Sequence, residues 1–578
     1  MEGRFCSRKM IDESVDYMKA EQNGAQKVCN FIKQLLQAGV GLYLVLLIVF
    51  YALYFVNGYE QLATHKFELL KFMSVCFGWV MIPFAVIYGL FYFVGQMETG
   101  RHQKKDDMPT EMGRKQQGKR AMFADRFLYE ISLTDAAILD YTCVLLLSYF
   151  LSPYKEEALW GTAGWYMGLG TQLICVGIYF FTSRFFEADR IQDFLYFIGI
   201  VSFLFMLWGL LNRFSVYPIE MEYSAPSYIS SMGNINWFCG YYSVFFCIGA
   251  VLYYNSEDIV VRLMGFIHAT IAFALGAVEG SDSAFLSLGI FFFILFLYAF
   301  TETEKMKRFL DLVALYGMSC QVLRIISICF PESLNLKNPV IDFMLGNATL
   351  LVMLAAIALR VIVNTQDRIR GNREKNWISD YVKIRTVIIW LLILIGIAYI
   401  ILLVLNTNNP GSIGPLSECS AFYFNATWGS NRSTTWRDGF LIFETMTPLQ
   451  KIFGVGPDCF AIHASNNPII FEMIEKQFGG NRLTNAHNEM ITLLVNVGIW
   501  GLFTFCVAFI SSVSRLIKHF PKRPMALIFI ISICSYLIHN QFSFQQILNT
   551  PYIYMMLGLA ECMMRNMREE NSCKKFFD

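Results

Sequence analysis

From residue 38 onward the chain keeps returning to apolar stretches of about 17–23 residues, enough for a helix to cross the hydrocarbon core of a bilayer. Inside lipid every backbone N–H and C=O needs a partner within the protein, so runs of this length must be helices. They fall near 38–56, 72–95, 136–152, 165–182, 193–212, 237–254, 262–279, 284–301, 309–330, 343–363, 386–405, 489–511, 525–540 and 551–564. The expected fold is therefore an all-α integral membrane protein of about 12–14 transmembrane helices. The last stretch, "PYIYMMLGLAECMM", is short enough to be tilted or re-entrant. With 55% of residues hydrophobic, the composition points the same way.

Lys and Arg crowd "GRHQKKDDMPTEMGRKQQGKR" (100–120), "QDRIRGNREKNWISDYVKIR" (366–385), "SRLIKHFPKRP" (514–524) and the C-terminal "RNMREENSCKK". The positive-inside rule makes these segments cytoplasmic, and a fourteen-span count satisfies all four. The expected layout is a cytoplasmic segment 1–35, a bundle 36–405 with basic cytoplasmic loops 96–134 and 364–385, a large extracytoplasmic loop 406–488, and C-terminal helices and tail 489–578. The polar N-terminus lacks the short apolar core and small-residue cleavage site of a secretory signal, so the first span is expected to stay as an anchor.

Several classes drop out. GxxxxGK[ST] is absent, so an ATP-driven machine would need another subunit. No CxxC or HExxH pattern suggests a metal, and no cofactor is expected. No internal repeat supports a secondary transporter. Most of the fifteen cysteines lie in spans; Cys419 and Cys459 lie in the outer loop, at a spacing that leaves their pairing open.

The outer loop carries the residues with chemistry. "TTWRDGFLIFETMT" (434–447) places Trp436, Phe440, Phe443 and Met446 at helical spacing and stops before Pro448, which reads as a short amphipathic helix at the interface. "FGVGPDCF" (453–460) follows as a turn, where Gly454 and Gly456 allow positive φ or close backbone approach.

Of seven histidines, His102 and His519 lie in cytoplasmic loops and His268 within a span, while His65, His463, His487 and His539 lie on or near the outer side. In "TNAH" (484–487) Thr484 or Asn485 is placed to cap the next span, which puts His487 in its first turn. The helix dipole disfavours a cation there, so the ring is expected to stay neutral and able to accept a proton. The plainer alternative is an interfacial histidine bonded to loop backbone. Arg437 lies fifty positions upstream (487 − 437 = 50), and Arg432, Lys451 and Arg482 add cations to the same loop. Guanidinium groups make forked, charge-assisted hydrogen bonds to phosphate oxygens, so such a cluster suits a diphosphate. Ordinary solvated charge with an Arg–Asp pair is its plainer alternative.

The order "WRDG", "FGVGPDCF", "NAHNEMITLLVNVGIWGL" resembles the signature of the O-antigen ligase and polymerase family. "SSMGNINWFCGYYSVFF" (230–246) and "GSDSAFLSLGIFF" (280–292) are similar to its earlier motifs, and the resemblance spans roughly residues 195–560. It implies a GT-C-like, metal-independent glycosyltransferase that uses a polyprenyl-diphosphate-linked saccharide donor and a glycan or lipid acceptor on the outer face of the cytoplasmic membrane. Membrane lipid is then a partner, and nucleic acid is not. His487 would activate the acceptor hydroxyl and Arg437 would lie near the donor diphosphate. Asn488, Trp436, Arg432 and Arg482 would line the substrate site, and Gly454 and Gly456 would shape the loop around it. Where the family has Ser-Arg, this chain reads Ser281-Asp282-Ser283. Arg324, an ionisable group about six residues inside a span, is the candidate substitute for the missing arginine.

Ligation of a finished glycan and polymerisation of lipid-linked units share these motifs. A transporter or flippase of lipid-linked glycans remains an alternative from another class, although the spans carry few polar residues beyond Asp140, His268, Arg324 and Glu561.

Overall fold

The computed structural model of the protein describes residues 27–102, 131–370, 377–426, 428–479, 482–520 and 522–577. The N-terminal segment through 26, most of the first basic loop and part of the second (371–376) lie outside the described residues. Among the described residues the regular structure is helical except for one two-stranded hairpin that pairs Tyr228 with Asn234 and Ile229 with Gly233.

Among the described residues eleven helices are long and apolar enough to cross a membrane. The three remaining expected spans are also helical but are shorter or more polar: Leu169–Phe185, Ala526–His539 and Thr550–Phe577. The most apolar 18-residue stretches of helices Leu62–Phe91 and Val382–Asn408 contain no fully buried residue. Trp79, Phe72, Ile395 and Leu394 on them stand 79%, 68%, 64% and 57% exposed, an arrangement that water would not tolerate and lipid favours. The protein is a multi-pass integral membrane protein.

Six helices carry the region described below: α1 (Ile235–Asn255), α2 (Asp282–Ala299), α3 (Trp428–Thr445), α4 (Glu489–Asn496), α5 (Gly498–His519) and α6 (Ala526–His539). The expected single span over 489–511 is in fact two helices, α4 and α5, split at Val497 and Gly498. The GVG turn explains the split. Val455 N and Gly456 N donate to the carbonyls of Val495 and Asn496 at 3.0 Å each, so the last carbonyls of α4 find partners outside the helix. Gly498 takes φ +73, and a Cβ there would lie 2.3 Å from the Ile452 carbonyl oxygen.

Polar groups at the other end of the bundle are paired. Arg184 meets Asp135 at 2.9 Å and Arg515 meets Glu561 at 2.6 Å. Where α6 ends, His539 Nε2 and both side-chain polar atoms of Asn540 are buried without a hydrogen-bond partner among the described residues.

Candidate functional site

His487 lies just outside a helix. Asn488 is the N-cap of α4, its side chain accepting from Ile491 N, so His487 precedes the cap and does not occupy the first turn. The turn is held by side chains: Asn485 Oδ1 accepts from His487 N at 2.8 Å, and Thr492 Oγ1 accepts from Ala486 N at 3.2 Å. His487 takes φ +48, a left-handed conformation that costs energy and persists only where its surroundings impose it. Its ring packs edge-on against Phe544 with centroids 5.5 Å apart, while the residue stays open to the outside. Protein packed around the inner side of the ring, and then the Arg432 cation, hold its pKa below the usual histidine range. Desolvation and a nearby cation, rather than a helix dipole, are what favour the neutral ring here.

Arg432 reaches this turn from α3. Gly429, Ser430 and Asn431 run left-handed at φ 61, 59 and 71, a turn that costs about 1–2 kcal/mol for each non-glycine residue. That turn is tied down by Ser433 Oγ, Thr434 Oγ1 and Arg432 Nη1, which donate to the carbonyls of Asn425, Ala426 and Gly429. Beyond it one helical stripe, Arg432, Thr435, Gly439 and Ile442, is buried. A Cβ on Gly439 would lie 2.5 Å from Ile491, so the glycine lets α3 come close to α4. Thr435 Oγ1 donates to the Ala486 carbonyl at 2.9 Å, joining the arginine's helix to the histidine's turn.

The guanidinium is 10% exposed. It lies over the Phe542 ring at 5.6 Å, gives Nε–H to the Phe542 carbonyl at 3.1 Å, and faces Asp282 at 3.5 Å. Asp282 is the acid found where the resemblance expects arginine, and it stands at the start of α2, where the helix dipole favours an anion.

The other expected residues divide by position. Arg437 points the other way on α3, with a side chain 64% exposed and paired to Asp438 at 3.7 Å, so the arginine brought to His487 is Arg432. Trp436 packs between Trp428 and Phe542, 5.8 Å from each. Asn488 is spent on its cap and on the Gln541 carbonyl, 3.1 Å away. Gly454 and Gly456, at φ +81 and +131, anchor the turn against Asn496 and Ser152. Arg482 is exposed at the start of the segment leading to His487. Arg324 bonds Asn347 at 2.8 Å on a neighbouring helix, apart from the Arg432 cluster. Cys419 and Cys459 are both free thiols.

Sequence reasoning missed two further features. His539, at the end of α6, is fully buried with Nδ1 2.9 Å from Ser283 Oγ. A cavity beneath His487 is lined by Tyr141, Gln172, Asp458, Asn485, Glu489 and Phe544. Asp458 Oδ2 there accepts from Thr162 N and Met167 N, yet burial still pushes its pKa up to about 7. The available signal was the polar run "HNQFSFQQILNT" (539–550) between two apolar stretches, whose amides and imidazole have no role in a simple loop. Among the described residues no three His, Cys, Asp or Glu side chains gather as a metal site.

The arrangement can hold an anion on a buried arginine beside a solvent-exposed imidazole. No curated protein matches the chain. Residues 343–506 match a family model described as O-antigen ligase, a stretch that holds Arg432, Arg437, the GVG turn and His487 but neither Asp282 nor His539. Over these residues the chain is similar to the O-antigen ligase domain family of membrane enzymes.

Proposed function

We propose that the protein transfers a saccharide from a polyprenyl diphosphate carrier to an acceptor hydroxyl on the outer face of the cytoplasmic membrane, in the manner of an O-antigen ligase. The observation that carries this reading is the junction of Arg432 with the His487 turn through Thr435 and Ala486, inside the matched domain.

The chemistry asks little of the protein. A diphosphate leaving group already activates the anomeric carbon, so the enzyme must align two substrates, offset growing negative charge and accept one proton. His487 takes the proton of the acceptor hydroxyl as its oxygen bonds to the anomeric carbon. The bond from that carbon to the diphosphate oxygen breaks, and the diphosphate keeps the electron pair against Arg432. A single displacement of this kind inverts the anomeric configuration. A membrane-held donor also accounts for the location, because its sugar–diphosphate bond must lie near headgroup level, where the turn and α3 meet the bundle.

The test is in cells: replace His487 by Ala, confirm normal membrane abundance, and profile surface glycan with polyprenyl-linked intermediates. The reading expects mature glycan to vanish while lipid-linked saccharide accumulates. Short chains alone would assign the acceptor as another lipid-linked unit, and unattached long chains would assign it as a separate anchor. Unchanged glycan would remove His487 from the reaction.

A further inference from the structure

His539 is a fully buried imidazole that the proposed reaction leaves without a task. Its tautomer follows from its neighbours. Ser281 Oγ donates to Asn236 Oδ1 at 2.8 Å, and an amide oxygen can only accept. Ser283 Oγ lies 2.8 Å from Ser281 Oγ and 3.4 Å from Cys239 Sγ, so the single Ser283 proton is used on that side. Toward the imidazole Ser283 can then only accept, which makes His539 Nδ1 the N–H donor and leaves Nε2 with a lone pair. Nε2 has no hydrogen-bond partner among the described residues, and an unpaired polar atom so buried costs about 1–3 kcal/mol.

Through Nδ1 and its backbone carbonyl, His539 belongs to a closed ring of contacts around Arg432. His539 bonds Ser283, and its neighbour Asp282 faces the Arg432 guanidinium at 3.5 Å. Arg432 Nε donates to the Phe542 carbonyl at 3.1 Å, and Phe542 N donates back to the His539 carbonyl at 3.0 Å. The arginine thus faces a carboxylate, and the same ring of contacts carries the buried imidazole of His539 with its unpaired Nε2. The Asp282 contact is long for a charge-assisted bond and its carboxylate is 44% exposed, so an incoming anion can displace it.

We propose that His539 is a positioning residue for Arg432: with Nδ1–H committed to Ser283, its Nε2 accepts a guanidinium N–H when a substrate diphosphate takes the place of Asp282. This rests on the diphosphate reading of Arg432 given above.

The test uses the full-length protein in detergent, inorganic pyrophosphate as probe and calorimetric titration, with thermal unfolding as control. In His539→Asn the amide N–H still reaches Ser283 but nothing replaces Nε2, and binding is expected to weaken about tenfold, the loss of one hydrogen bond to a charged group. In His539→Gln the longer side chain brings its amide oxygen to the Nε2 position, and affinity is expected within about threefold of wild type. Wild-type affinity in His539→Asn would overturn the proposal. Equal weakening in both variants with a lowered unfolding temperature would also overturn it, leaving His539 a scaffold residue. A wild-type protein that ignores pyrophosphate would instead sink the diphosphate reading of Arg432 beneath it.

Discussion

The hydroxyl of Thr435 donates to the carbonyl of Ala486 at 2.9 Å, and this bond joins the helix that carries Arg432 to the turn that carries His487. Thr435→Val keeps the shape and removes the bond. The buried Ala486 carbonyl then loses its partner, at a cost of about 1–3 kcal/mol. The expected outcome is a lower unfolding temperature together with a fall in turnover larger than the loss of folded protein explains. A stability loss with unchanged turnover per folded molecule would show that the junction is structural only.

Arg432 and Arg437 give opposite expectations. Arg432→Ala removes the cation next to His487 and should lower kcat/KM by about 10²–10³-fold, the scale of losing one preorganised charge partner. Arg437→Ala trims a solvated side chain paired to Asp438 and should change kcat/KM by no more than about threefold. Steady-state kinetics on both variants decide between them, and a reversed order would return the anion to the outer face of α3.

The pH profile carries a signed expectation. Desolvation and Arg432 lower the His487 pKa, so the neutral, proton-accepting form persists to more acidic pH than an ordinary histidine allows. The rate should stay level through neutral pH and fall only below the usual histidine range of about 6.5. Arg432→Gln removes the cationic contribution, so the acid limb of its residual activity should move upward in pH. An acid limb unmoved in that variant would contradict the coupling between the two residues.

The GVG turn offers a test of the architecture. At Gly454 the backbone has φ +81, and a Cβ would lie 2.1 Å from the Asn496 carbonyl oxygen. Gly454→Ala therefore strains the backbone and pushes apart the turn and the helix break it completes. The expected result is a strong drop in folded protein, by several kcal/mol where unfolding is measurable, rather than a folded but inactive enzyme.

Much of this was readable in the sequence because lipid simplifies the code. Each of the fourteen apolar stretches coincides with helix, since nothing else spans a bilayer. The segments holding "WRDG", "GVG" and "AHNE" were legible as turns and helices by their glycines and periodicity. What spacing could not show was which face of α3 turns inward. The apolar positions Trp436, Phe440, Phe443 and Met446 suggested one face; of these only Met446 is fully buried, and Arg432, Thr435, Gly439 and Ile442 are buried with it, with close approach at Gly439. The cap of α4 was misplaced for a local reason: Thr484 or Asn485 was expected there, but Asn485 Oδ1 is taken by His487 N in the preceding turn and Asn488 accepts from Ile491 N as the cap. His539 and Asp282 could not be joined to Arg432 from sequence, because their meeting depends on three segments far apart in the chain.

The most direct measurement is release of polyprenyl diphosphate from a polyprenyl-diphosphate-linked saccharide by purified protein in detergent, with acceptor present, comparing wild type with His487→Ala. The account predicts release coupled one-to-one to glycosylated acceptor in the wild type and a loss of roughly 10²–10⁴-fold in the variant. Movement of the donor across a reconstituted bilayer without any release, or equal release by both proteins, would contradict it.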